Sequence, residues 1–220
     1  MPPAKGRPHI MVLAGVNGAG KSSVGGAIIR EHGLTWFNPD HLSRALMGQG
    51  GYSKDEADAE AWAYGRRRLE DAIAGGLNFA FETTLGGETI PRLIAAAATS
   101  HDILMIYCGL DSVDLHIDRV RLRVAHGGHD IPEERIRARW DSSRRNLIGL
   151  LPNIAHLQVY DNSRSARRGA DIPPPVLVLE VKDGTVLHPA ADDRKALAAT
   201  PEWAKPIVAA AFRLHRKRRS

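Results

Sequence analysis

Apolar positions along the chain fall into short continuous runs separated by helical stripes. His9 to Gly15, HIMVLAG, has strand length and no polar alternation, which predicts a strand covered on both faces. Lys21 to His32 then carries Val24, Ala27 and Ile28 on one helical face. LTWFNPD predicts a second strand ending at Pro39, with Asp40 placed to cap a helix over HLSRALMG. A long helix is predicted from Lys54 to Gly75, with Trp62, Leu69 and Ile73 in one stripe and a Gly-Gly pair closing it. NFAFETT is a third strand, TIPRLIAAAAT a helix, and DILMIYCGL a strand buried on both faces. Val113 to Val124 alternates in places, but its length and the stripe Val113, Ile117, Val120 and Val124 favour a helix. After HGGHDIP, Pro132 stands near the start of another helix, which puts Ile136, Trp140, Leu147 and Leu151 on one face. HLQVYDN is a last core strand, and VLVLEVKDGTVLH reads as a β-hairpin turning at Asp183-Gly184.

Strand and helix in alternation predict an α/β fold, a parallel sheet flanked by helices. A chain of 220 residues suits one such domain. Without a long apolar run or an apolar leader, no membrane role and a cytoplasmic address are expected. The single cysteine, Cys108, lies inside an apolar strand and is expected in the core. The net charge of +5 resides in the last ten residues, where Arg213, Arg216, Lys217, Arg218 and Arg219 face no acid; the rest is neutral. Nucleic acid is a candidate partner only through that tail.

GVNGAGKSS meets the pattern GxxxxGK[ST] between a strand and a helix. Glycines let successive amides converge on phosphates, and the helix start adds partial positive charge. Gly15, Asn17, Gly18, Ala19, Gly20, Lys21, Ser22 and Ser23 are therefore the expected ATP contacts. Lys21 bridges the β- and γ-phosphates, and Ser22 is the expected Mg²⁺ ligand. The fold class is a P-loop NTPase or kinase, with an arginine-rich helical lid and a C-terminal hairpin. Its expected divisions are a flexible N-terminus (1–8), a kinase domain (9–165) with the lid at about 112–150, and a linker (166–175). An accessory hairpin and helix (176–210) and a basic tail (211–220) follow.

No later strand ends in the acidic pair that orients water in a hydrolytic NTPase. Asp40, beyond the second strand, faces the ligand crevice of an open α/β sheet, either as a base for an acceptor hydroxyl or as a plain helix cap. Glu82 and Thr84, with Arg44, are the expected substrate contacts. Arg119/Arg123 and Arg135/Arg139 each share a helical face, either closing over a phosphoryl group in transit or pairing with Asp118, Glu133 and Glu134. His126 and His129 flank the Gly-Gly hinge without a third ligand nearby, so no metal is expected on them.

Taken in order, GVNGAGKSS, FNPDHLSR, FAFETTL, RVRLRVAHGGHDIPEERIRARW and VYDNS resemble the zeta toxin family of P-loop kinases over about residues 9 to 163. The resemblance implies ATP-dependent phosphorylation of a small hydroxyl acceptor such as a nucleotide sugar, with an antitoxin protein as a possible partner. It makes Asp40 the general base, Glu82, Thr84 and Leu85 the acceptor motif, and Arg123 and Arg139 the catalytic arginines beside Lys21. Gly86 stands where the sugar-nucleotide kinases carry arginine, and Ala138 where relatives are often basic. Two other classes fit the same residues: a nucleotide-dependent interaction module, and a kinase of nucleic-acid ends that uses the basic tail.

Overall fold

The computed structural model describes residues 6–31, 35–128, 130–164 and 173–219. His129, most of the linker between the last core strand and the hairpin, and the side chains of Ala27 and Ile28 lie outside the described residues. Among the described residues, six strands form one sheet in the order β2 (Phe79–Thr83), β1 (His9–Ala14), β3 (Asp102–Gly109), β4 (His156–Asp161), β5 (Val176–Lys182) and β6 (Thr185–His188). The first four are parallel, which brings their carboxyl ends to one edge. Continuous apolar character in β1 and β3 follows from cover on both faces: Ile10, Val12 and Ile103 pack into one core, and Leu13, Ile106 and Cys108 into another.

Helix α1 (Lys21–Glu31) runs from the end of the phosphate loop and packs on β1 and β3. Helix α2 (Pro39–Gly48) packs against α3 (Lys54–Gly75), and α4 (Thr89–Ala97) packs on β3. Among the described residues, the segment expected as a second strand reduces to Phe37, whose N–H donates to Ala80 O at 2.8 Å and whose carbonyl accepts from Glu82 N at 2.9 Å. Pro39 has no N–H to continue that pairing and starts α2 instead. The α2 cap is also corrected, since Asn38 Oδ1 accepts from Asp40 N at 2.9 Å and leaves the Asp40 carboxylate outside the capping role.

Helices α5 (Val113–Ala125) and α6 (Glu133–Leu150) form where their stripes predict, with Ile117, Val120 and Ile136 buried together against Val16 of the phosphate loop. The hairpin expected as an accessory is instead part of the sheet: β5 pairs antiparallel with β4, and Val178, Leu179 and Val181 are buried. A short helix α7 (Arg194–Ala198) precedes α8 (Lys205–Arg219). The expected basic tail lies in α8, where Ala211 is 1% exposed and Phe212 and Leu214 pack against the core.

Candidate active site

The turn from β1 into α1 takes its shape from glycine. Gly15, Gly18 and Gly20 have φ of 138°, 81° and 79°, a region costly for residues with a Cβ. A Cβ at Gly15 would stand 2.2 Å from Cys108 O, and one at Gly20 would stand 2.4 Å from Asn162 Nδ2. Asn162 Nδ2 donates to Ala19 O at 3.0 Å, fastening the loop to the end of β4. Beneath the loop, His116 is fully buried and its Nδ1–H donates to Asn17 O at 2.7 Å. Burial lowers its pKa to about 4, so the ring is neutral at ordinary pH.

Glu82, at the carboxyl end of β2, gathers the residues of the phosphate side. Its Oε2 accepts from Ser22 Oγ at 2.7 Å and from Asn38 Nδ2 at 2.9 Å, and its Oε1 lies 3.5 Å from Lys21 Nζ. Lys21 and Glu82 are both buried, where charge pairing is weakly screened. The Ser22 hydroxyl beside a carboxylate is a hard-oxygen pair that suits Mg²⁺. Among the described residues there is no cluster of three or more His, Cys, Asp or Glu that could hold a metal.

From Lys21 a cleft of about 350 Å³ extends between α3, the segment after β2, and α6. Asp40, Glu82, Thr84, Arg139 and Trp62 line it. Trp62, expected in the core stripe of α3, is instead 48% exposed and faces this cleft. Arg139 Nη1 donates to Asn17 Oδ1 at 2.7 Å, which puts its guanidinium beside the phosphate loop. Burial, and next the neighbouring Arg135, lower the Arg139 pKa.

Not every expected residue joins this cleft. Arg123 Nη1 lies 3.7 Å from Asp40 Oδ2, and Arg44 Nε donates to Asp40 O at 3.2 Å. Both line a second cavity of about 480 Å³ on the far side of Asp40, with His126 and Gly128. Ser23 is exposed on the first turn of α1. Asn38, His116 and Asn162 are site residues that sequence reasoning missed. For Asn38 the Asn-Pro step was a readable capping signal; the other two act through contacts distant in sequence.

A family model described as AAA domain matches residues 10–147. An uncharacterised protein of Haemophilus influenzae is 28% identical over 127 residues, 57% of this chain and 88% of that protein. Among solved structures, AvrRxo1-ORF1:AvrRxo1-ORF2 with sulphate ions superposes with a TM-score of 0.62 at 14% identity, covering 90% of this chain and 64% of that one. A putative kinase from Chloroflexus aurantiacus gives a TM-score of 0.50 at 16% identity over 61% of this chain and 78% of its own. The fold is that of P-loop NTPases and kinases.

Proposed function

As this chain belongs to the AAA domain family, we infer that it is a kinase, transferring the γ-phosphoryl group of ATP to a hydroxyl of a small acceptor in the manner of zeta toxins. One observation carries this reading: a single cleft runs from Lys21 of the phosphate loop past Asp40 and Glu82 to the Trp62 face, leaving room for a second molecule beside the nucleotide. A hydrolase needs space only for water.

The loop amides and Lys21 hold the phosphates. Ser22, backed by Glu82, holds Mg²⁺, which when bound neutralises phosphate charge. Asp40 takes the proton of the acceptor hydroxyl, and its carboxylate is available because Asn38 performs the capping. Thr84 lines the acceptor end, and Arg139 meets the charge that develops on the phosphoryl oxygens. A structural neighbour solved with ATP and with a second protein chain supports the nucleotide and leaves an antitoxin-like partner as part of the proposal.

The test is Asp40→Asn. This substitution leaves the α2 cap intact, so fold and ATP affinity by calorimetry are expected to persist while phosphorylated acceptor, measured by mass spectrometry, falls at least 10²-fold. Release of free phosphate at one rate with or without acceptors, unchanged in Asp40→Asn, would overturn the kinase reading.

A further inference from the structure

The segment after β2 is bound to α6 by an unusual concentration of side-chain contacts. Ser142 Oγ shares its one proton between Gly86 O at 2.8 Å and Ala138 O of its own helix at 3.0 Å, and Ser143 Oγ donates to Thr84 O at 2.7 Å. Asn146 Nδ2 donates to Leu85 O at 2.8 Å and to Gly87 O at 2.9 Å. Ser143 is fully buried; having spent its proton on Thr84, it accepts from Tyr107 OH at 3.0 Å, which ties the unit to β3. Four consecutive carbonyls thereby face donors on one helix. Leu85 has a φ of 56°, a left-handed value costly for a branched side chain, and is held there with its side chain 1% exposed.

Arg139 stands one turn earlier on α6, and its aliphatic stem crosses this segment at Gly86. A Cβ at Gly86 would lie 2.6 Å from Arg139 Cγ and 3.3 Å from its Cβ. Cβ is fixed to the helix and Cγ moves only with the first side-chain torsion, so a larger residue is accommodated by turning the arginine to another rotamer or by shifting the backbone. Gly86 itself has no positive φ, so its backbone gives no independent reason for glycine.

We propose that Gly86 is the positioning residue for Arg139: the absent side chain at 86, with α6 locked to residues 84–87, gives the guanidinium its reach to Asn17 and the transferring phosphoryl group. The inference rests on the kinase reading. It joins the acceptor side, which carries Thr84, to the phosphate side, which carries Asn17, through one preorganised arginine, so that no ordering cost remains for the transition state.

A double-mutant cycle tests the inference, with Mg·ADP–aluminium fluoride as the probe of the transferring group and Mg·ADP as reference, so that no acceptor need be known. Gly86→Ala is expected to weaken the aluminium fluoride complex about tenfold, with Mg·ADP affinity and Tm unchanged. In an Arg139→Ala background the same substitution is expected to cost nothing more. Asn146→Ala, which releases the Leu85 and Gly87 carbonyls, is expected to act in the same direction and also to lose its effect in that background. Equal losses with and without Arg139 would overturn the proposal, as would wild-type affinities in both Gly86→Ala and Asn146→Ala. A wild-type chain that binds no Mg·ADP overturns the kinase reading along with it.

Discussion

Beneath the phosphate loop, one buried imidazole makes the fold sensitive to acid. His116 stays neutral because charging it in the interior costs more than its bond to Asn17 O returns, and its pKa falls from 6.5 to about 4. The native state therefore binds fewer protons than the unfolded state between these two values. Stability is full above about pH 6.5 and declines as pH drops toward 4, by roughly 3 kcal/mol from this residue at 1.36 kcal/mol per unit. Urea titrations across that range are expected to show the decline in the wild type and a flatter profile in His116→Gln. In the sequence, His116 is one of several polar positions on a helix that also carries Asp114, Asp118 and three arginines, and nothing local marks its partner 99 residues away. The glycines and Lys21 were legible because their demand is local: a turn with positive φ followed directly by a helix.

Among elements, those with a full period were readable and those made by a neighbour were not. The strands β1 and β3 and the helices α3, α5 and α6 came from continuous runs and stripes. Phe37 shows the other case, since its pairing exists only because β2 lies beside it, and Pro39 ends it at once. The two arginine helices look alike in sequence but differ in attachment. Arg139 belongs to a helix fixed by Ser142, Ser143 and Asn146, whereas Arg123 sits in the last turn of α5 against Asp40. Arg139→Ala is accordingly expected to lower kcat about 10²-fold with little change in ATP affinity. Arg123→Ala, outside the cleft and facing only the far side of Asp40, is expected to lower kcat less than about tenfold. Steady-state kinetics with any acceptor that turns over separates the two, and equal kcat losses would place Arg123 with Arg139 on the phosphoryl group.

At the scale of the whole molecule, the C-terminal segment belongs to the core that carries the site. Trp203 is buried against Gly109, where a Cβ would come within 2.3 Å of its ring, and its Nε1 donates to Asp161 Oδ1 at 3.2 Å. Asp161 closes β4 immediately before Asn162, which holds the phosphate loop, so the turn that leads into α8 and the loop meet through two adjacent residues. Further along α8, His215 Nδ1 accepts from Val186 N at 3.1 Å and fixes the outer strand of the sheet. The basic residues hid this in the sequence, because a run of charge reads as solvated whether or not Ala211, Phe212 and Leu214 alternate within reach of a core. Deleting residues 211–220 is therefore expected to remove packed side chains along with charge, lowering stability by about 2–5 kcal/mol, the range for truncating buried apolar groups. A charge-only variant, with Lys217, Arg218 and Arg219 replaced by glutamine, keeps Phe212 and Leu214 in place and is expected to keep the wild-type ATP affinity. If the tail contacts nucleic acid, that variant also loses the salt-dependent part of binding, with the slope of log affinity against log salt falling by about 0.9 for each phosphate contact removed. A deletion that melts at the wild-type temperature would return the last turns of α8 to the status of a solvated tail.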